Sequence, residues 1–232
     1  FALQKMALKV SKNNTRTCWA LKCDIKKFFA SVNHKILFEI LKKRINDQEF
    51  LDLLYKIINS FYSDRTTDLS NKKGIPIGNL TSQFFSNIYL DSFDQYIKHK
   101  LRIKYYLRYA DDFVILSENK PFLEDLVKPI KEFLKNELDL EIHPDKVIFC
   151  KFRSGIDFLG YIVFPHHILP RTKTKRRLIK KIKRRIREYK KGRITYEQLD
   201  HTIQSYLGYL MHCNAHKFKQ QLQNLIWFWL TE

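Results

Sequence analysis

The sequence predicts an α+β fold: an antiparallel sheet with helices on one face, followed by a basic segment of three helices. Three observations carry this. Short β-prone runs bounded by turn residues alternate with stretches whose apolar residues recur at helical spacing. Acids distant in sequence fall at the ends of those runs, as they would where strands meet at one sheet edge. Composition then changes abruptly at residue 170, beyond which Lys and Arg dominate.

Residues 1–17 read as the tail of a helix running into a polar, basic loop. In CWALKCDIKKFFASVNH (18–34), Trp19, Leu21 and Cys23 alternate with Ala20, Lys22 and Asp24, and a compact turn leads to a helix starting near Asn33. Alternation sets Asp24 on the face opposite Cys23, so it can be exposed while its neighbour packs. Ile36, Leu37, Ile40 and Leu41 continue at helical spacing. Residues 47–62 repeat the pattern with Phe50, Leu51, Leu54, Ile57, Ile58 and Phe61, and Asp47 is placed to cap them. Residues 63–73 are polar and loop-like. In GIPIGNLTSQFFSNIYLDSFDQYI (74–97), Gly74, Pro76 and Gly78 restrict the backbone before a helix expected to open at Thr81 or Ser82. Its core stripe is read as Phe84, Phe85, Ile88, Tyr89, Phe93 and Ile97. A loop of small residues before a helix can lie flat against a nucleotide or a base pair, because no bulky side chain holds the ligand away.

The rest of the chain is organised around YYLRYADDFVIL (105–116): a strand, a tight turn holding Asp111 and Asp112, and a returning strand. Two close carboxylates repel each other unless something positive lies between them. With Asp24 arriving from another strand, the donors are hard oxygens suited to magnesium. Two such ions would clamp the attacking and leaving oxygens of a phosphoryl transfer. Pro121 is expected to open one helix through Leu138, with Phe122, Leu126, Ile130, Phe133 and Leu134 on one face. LDLEIHPDKVIFCKF (138–152) reads as a strand, a turn at His143, Pro144 and Asp145, and a second strand. Gly155 then turns the chain into IDFLGYIVF (156–164).

Over 232 residues an apolar fraction of 44% supports a sizeable core plus a small second domain. Forty-three Lys and Arg against 24 Asp and Glu leave a net charge of +19, which points to a polyanionic partner, with an acidic membrane surface as the rival. No stretch approaches the roughly 18 apolar residues of a membrane span, and LIWFWL (225–230) is far too short. Between Arg171 and Arg193 there are fourteen Lys or Arg and one acid, Glu188. Leu178, Ile182, Ile186 and Tyr189 run through that stretch at helical spacing, so it reads as an amphipathic helix. Thr195 and Gln198 form a capping box for a helix carrying Leu199, Ile203, Leu207 and Leu210. Asn214 is expected to cap a third, with Phe218, Leu222, Leu225 and Trp229. Such a module could grip a duplex backbone. Cys18, Cys23, Cys150 and Cys213 form no CxxC and suit plain thiols in a reducing compartment. His212, Cys213 and His216 lack a fourth ligand for zinc. No signal peptide is expected; the chain opens on Phe1 rather than a methionine and is expected to be part of a longer protein.

LKCDIKKFF, GIPIGNLTSQ, YADD, the turn HPDK and a following FLG, in that order over about 140 residues, resemble a reverse transcriptase. The resemblance implies a right-hand polymerase palm at 18–34 and 74–169, with 35–73 as the fingers inserted within it. Residues 1–17 would be a remnant of the N-terminal fingers, and 170–232 a basic three-helix thumb. It further implies RNA-directed DNA synthesis: a primer 3′-hydroxyl attacks the α-phosphate of a dNTP on an RNA template, with two Mg2+ ions (or Mn2+) as cofactors.

Asp24 and Asp111 would be the shared metal ligands, with Asp112 and the Ile25 carbonyl assisting. Lys146 would protonate the leaving pyrophosphate or stabilise its charge. Phe29, five residues after Asp24, would be the gate that excludes a 2′-hydroxyl. Lys26, Ile77 and Gly78 would meet the nucleotide, and Tyr109 the primer end. Arg171, Lys173, Lys175, Arg176, Lys180 and Arg184 would hold the RNA/DNA heteroduplex. Against these stand plainer readings: acids at strand ends, an aromatic of the core, a sheet tyrosine, a surface lysine and a solvated helix face.

Within that superfamily the chain is most similar to the enzymes of diversity-generating retroelements. Most relatives, group II intron enzymes included, carry glutamine between the proline and glycine of the nucleotide-pocket block; here it is Ile77, and Ser82 with Gln83 also fits the retroelement pattern. Those enzymes copy a template RNA with frequent errors opposite adenine and work with a small basic accessory protein, an oligomer, in the cytoplasm of a bacterium or its phage. An amide beside the templating pair can hydrogen-bond it, whereas isoleucine cannot, which weakens rejection of a misplaced pair. The competing classes are an accurate reverse transcriptase of the group II intron or defence-associated kind, a non-catalytic nucleic-acid-binding scaffold, and a template-independent terminal transferase.

Overall fold

The computed structural model describes residues 2–61 and 72–232. These fall into two compact units: residues 9–150, and residues 151–232 with the chain up to Leu8. Most of the polar stretch expected at 63–73 lies outside the described residues.

Helix α1 (Ala2–Val10) leads through a basic loop to strand β1 (Trp19–Asp24). A short helix α2 (Phe28–Ser31) precedes α3 (His34–Lys42) and α4 (Gln48–Asn59). Asn33 caps α3, its side-chain oxygen accepting from the amides of Lys35 (3.0 Å) and Ile36 (3.4 Å), and Asp47 caps α4 through Phe50 N. Helix α5 (Leu80–Gln95) runs on into a π-helical turn, Tyr96–Lys100. Strands β2 (Tyr106–Tyr109) and β3 (Asp112–Ser117) form the acidic hairpin. Helices α6 (Lys120–Asp125) and α7 (Val127–Leu138) lead to β4 (Ile148–Lys151).

The four strands form one sheet in the order β2-β3-β1-β4, with β1 and β2 both antiparallel to β3. The alternation in β1 decides its faces. Leu21 and Cys23, with Phe113 and Ile115 of β3, are buried in a core with Leu37 and Leu41 of α3, Phe85, Tyr89 and Phe93 of α5, and Ile130 and Leu134 of α7. Phe93 packs edge-on against Phe113 at 5.1 Å and Tyr106 at 6.2 Å. Burying such a ring contributes roughly 1.5–3 kcal/mol.

Several expectations need correction. The helix expected over 121–138 is two helices broken at Leu126, because Pro129 has no N–H to donate to the Asp125 carbonyl and its ring crowds that oxygen. The strand expected from 138 shrinks to a single bridge, Ile142 to Ile25, since α7 runs to Leu138 and Asp139 ends it in the left-handed conformation (φ 49°). IDFLGYIVF is a hairpin, with β5 (Ile156–Phe158) and β6 (Tyr161–Val163) joined through Leu159 (φ 51°) and Gly160 (φ 86°). Positive φ at both positions is what a type I′ two-residue hairpin loop demands. The helix after the GIPIG loop opens at Leu80, and its Phe84 is exposed, as are Phe50 and Phe61.

In the other unit β6 also pairs with β7 (Ile168–Pro170). Helices α8 (Thr172–Lys190), α9 (Tyr196–Met211) and α10 (His216–Thr231) share a core of Leu178, Ile182, Ile186, Leu199, Leu210, Leu222 and Ile226. The capping box of Thr195 and Gln198 is present. Asn214 does not cap α10; Ala215 stands at that position, while the Asn214 side chain accepts from Ile168 N at 2.9 Å and ties the helix to β7. On α10 Ile226 is buried, whereas Leu225 is half-buried. The four cysteines are free thiols. Among the described residues no helix is long and apolar enough to cross a membrane.

Candidate active site

The register of the sheet brings the acids together. Asp24 at the end of β1 lies directly opposite Asp112 at the start of β3, so their side chains share a face, and Tyr109 of β2 flanks Asp112 on the other side. Asp111 occupies the turn, held against β1 by the bond from Ile25 N to its carbonyl (3.3 Å). In an extended residue N–H and C=O point the same way, so the Ile25 carbonyl also faces this turn. Burial raises the Asp111 carboxyl above the ordinary carboxylate range, and the charges of Asp24 and Asp112 raise it further.

Two lysines answer these charges. The 3-10 turn Pro144–Lys146, anchored by His143 N to Asp24 O (2.8 Å), presents Lys146, whose Nζ donates to Asp24 Oδ2 at 2.8 Å. That contact raises the Lys146 ammonium above its usual value. Lys22 Nζ lies 4.0 Å from Asp112 Oδ1. Among the described residues no three His, Cys, Asp or Glu side chains stand in a metal-holding arrangement. The cluster nonetheless sets three carboxylates against two lysines. Its donors are hard oxygens with excess negative charge, which suit magnesium, provided that Lys146 gives up Asp24.

A supporting set was not visible from sequence. Arg108 of β2, whose side chain is only 8% exposed, makes a two-pronged pair with Asp94 of α5 (2.8 and 2.6 Å), and Tyr106 Oη donates to Asp94 at 2.7 Å. The same guanidinium donates to the carbonyl of Ala110 (3.1 Å), the residue at φ 51° immediately before Asp111. Burial works against the charged guanidinium, but Asp94 outweighs it and its pKa is raised. An apolar-run reading of YYLRY passes over Arg108; the one available signal was a charge inside a strand that had to be paired.

The residues expected at the nucleotide pocket are joined through backbone. Ile75 N bonds Phe29 O (2.7 Å) and Gly74 N bonds Val32 O (2.8 Å), clamping the segment before Ile77 against α2. His34, buried, lies with Nε2 2.6 Å from Gly74 O, another contact that sequence reasoning missed. Phe29 is half-buried and packs edge-on against Phe28 at 5.4 Å. Ile77 is 83% exposed, and Gly78 has φ 99° with nothing within 4 Å of where a Cβ would sit. Glycine is therefore required there for its backbone conformation, in a loop open to a ligand. Lys26 is exposed and pairs with Glu141. Tyr109 is exposed.

The basic residues of α8 belong to the other unit. Lys173, Arg176, Lys180 and Arg184 are exposed. Arg171 and Lys175 are engaged within their own unit, Arg171 with Asp157 and Lys175 over the Phe218 ring at 5.2 Å.

Comparison with known proteins agrees with this architecture. The family model described as reverse transcriptase (RNA-dependent DNA polymerase) matches residues 1–163. The putative COX1/OXI3 intron 2 protein of Saccharomyces cerevisiae is 28% identical over 227 residues, covering 73% of this chain and 26% of that protein. Protein YkfC of Escherichia coli is 27% identical over 179 residues (63% and 47%). The group II intron-encoded protein LtrA of Lactococcus lactis is 22% identical over 205 residues (62% and 34%). The chain thus spans between about a quarter and a half of the length of these relatives. Among solved structures, apo telomerase from Candida tropicalis shares the fold, with a TM-score of 0.57 at 15% identity over 78% of this chain and 37% of that one. With more than half of its length matched by the family model, the chain belongs to the reverse transcriptase (RNA-dependent DNA polymerase) family.

Proposed function

We propose that the chain is the palm and thumb of an RNA-directed DNA polymerase that adds dNTPs to a primer 3′-hydroxyl on an RNA template. In this reading residues 18–34 and 74–169 form the palm, 35–73 a fingers insertion and 170–232 the thumb. The observation that carries it is the register that puts Asp24 opposite Asp112 with Asp111 in the adjoining turn. Asp24, Asp111 and Asp112, with the Ile25 carbonyl, would hold magnesium, which supplies charge stabilisation at the phosphate and a more nucleophilic primer oxygen. Lys146 would neutralise the leaving pyrophosphate or give it a proton once its ammonium group releases Asp24. The exposed lysines and arginines of α8 suit phosphate contacts along a duplex.

Phe29 would set the sugar preference, its ring filling the space that a 2′-hydroxyl would need. Phe29→Ala is expected to lower the preference for dNTPs over rNTPs on the order of a hundredfold. Parallel single-nucleotide incorporation assays measure it, and an unchanged ratio assigns Phe29 to packing alone.

Ile77 favours the mutagenic, retroelement form of the activity, with a small basic accessory protein as partner. The likeness to group II intron proteins favours a second reading, accurate copying. Primer extension by the full-length protein with its native partner on a defined RNA template, with the products sequenced, separates the two. Errors concentrated opposite adenine are expected, and Ile77→Gln should reduce them roughly two- to tenfold, the worth of one hydrogen bond. Uniformly accurate copying would place the protein with the ordinary reverse transcriptases. RNA binding without any extension would favour the scaffold reading.

A further inference from the structure

Asp112 opens β3 and Ser117 ends it, so five residue steps set the two ends about 17 Å apart. At the Ser117 end, away from the acids, the larger unit holds a cavity of about 380 Å3. Its charged lining comes from two segments. Lys9 and Lys12 belong to the chain leading into β1, on one side of β3, and Arg102 and Lys104 to the chain leading into β2, on the other. None of these four makes an ion pair among the described residues. The acid of the lining, Glu118, is answered by Arg16 at 3.0 Å. Four cations with so little opposing charge repel one another unless an anion joins them.

Two of these cations stand where the backbone disfavours them. Lys12 has φ 45° and Arg102 φ 53°, the left-handed region in which a lysine or arginine carries a steric cost that glycine avoids and asparagine bears more easily. Neighbouring bonds hold both residues there. Thr15 Oγ1 donates to Lys12 O at 2.8 Å, and the buried Ser11 accepts from Asn14 N on its Oγ (3.1 Å) and from Arg16 N on its carbonyl (2.9 Å). Arg102 is flanked by the bonds of Leu101 N to Tyr96 O and Ile103 N to Ile97 O, both 3.0 Å. Cationic side chains kept against the preference of their own backbone mark positions where the side chain has a task. Most of the remaining lining is apolar. Val10 and Leu116 are buried, Tyr105 is half-buried with its carbonyl accepting from Leu116 N (2.9 Å), and the Phe122 ring is exposed. Cations from two sides together with aromatic rings match a nucleotide, whose base stacks on a ring while its phosphate meets the charges. An acidic peptide or a lone phosphate would meet the charges and leave the rings uncovered.

We propose that this cavity binds a nucleotide unit, with its phosphate among Lys9, Lys12, Arg102 and Lys104 and its base against Tyr105 or Phe122, at a site apart from the candidate active site. Irradiating the chain with a single-stranded RNA oligomer that carries one iodouracil, then mapping the cross-link by peptide mass spectrometry, tests this without any turnover. The cross-link is expected at Tyr105 or Phe122. Lys12→Asn and Arg102→Asn, which suit the left-handed backbone, should each lower that labelling about tenfold and melt no lower than the parent. Lys56→Gln, exposed on α4 and outside the cavity, should leave it within about twofold. No label on either ring, undiminished label in both asparagine variants, or equal loss in all three would overturn the proposal.

Competitors identify the class of ligand. Oligouridylate is expected to displace the labelled oligomer far better than polyglutamate of the same charge. Equal displacement would overturn the proposal, leaving only general attraction to a chain of +19. Loss of the label on adding a blunt RNA/DNA heteroduplex would also overturn it, by returning the contact to the path of primer and template. An azido derivative of ADP distinguishes two sources of the nucleotide. Labelling of the same rings supports a site that takes a free nucleotide, and labelling by the RNA alone supports one that takes a residue within a single strand. Absence of polymerase activity would leave all of these readouts untouched, so failure of the functional reading and failure of this site are separately visible.

Discussion

Asp111→Asn is expected to lower nucleotide addition roughly a thousandfold or more, about 4 kcal/mol of barrier, while leaving RNA binding within a few-fold. The amide keeps the size of the side chain and removes the charge. Single-turnover extension measures the first quantity, and filter binding at fixed salt measures the second. Stability should move the other way. The Asp111 carboxyl is raised by burial and by Asp24 and Asp112, so the folded state holds that proton more tightly than the unfolded chain. Its contribution to stability is therefore lost as pH rises from the ordinary carboxylate pKa through the raised one, and is regained as pH falls. Asp111→Asn should flatten that part of the pH–stability profile and melt no lower than the parent at neutral pH. A variant that still extends primers at the parental rate would remove Asp111 from the chemistry.

Asp94→Ala is expected to destabilise the larger unit by about 3–5 kcal/mol, the cost of leaving a buried charge without its partner. Arg108 would lose both prongs of its pair, and Tyr106 its acceptor. Urea denaturation measures the change. Tyr106→Phe, which removes one hydrogen bond and leaves the ion pair, should cost only about 1 kcal/mol. The loss should reach the acids, because Arg108 also holds the Ala110 carbonyl at the turn. An Asp94→Ala protein as stable as the parent would show that the pair contributes nothing net.

The legibility of this chain follows the range of the interactions. The β1 alternation, the acidic hairpin, the Asn33 and Asp47 caps, the Thr195 capping box and the apolar stripe of α8 each depend on residues within a turn or two of one another. Sequence periodicity and side-chain chemistry therefore specify them directly. The misreadings were local conflicts settled by backbone chemistry. Pro129 broke a helix that the apolar spacing of 121–138 predicted, and Leu159 with Gly160 folded a run of β-prone residues back on itself. Exposure of Phe84 could not be read from its spacing, which places it beside the buried Phe85 without saying which one meets the core.

The sequence by itself determined the first strand, the acidic hairpin and most of the helices, the three acids as a candidate set, the basic helix and the family. Only the tertiary structure decided that Lys146 lies on Asp24 across 122 residues, that Arg108 and Asp94 support the turn, that His34 and Phe29 hold the loop before Ile77, and that lysines from two separate segments share the cavity at the far end of β3. Each of those pairings links residues whose separation along the chain carries no periodic signal. Burial of the helix face of the sheet fixes the register, which sets Arg108 beside Asp94 on that face and Asp24 opposite Asp112 on the other.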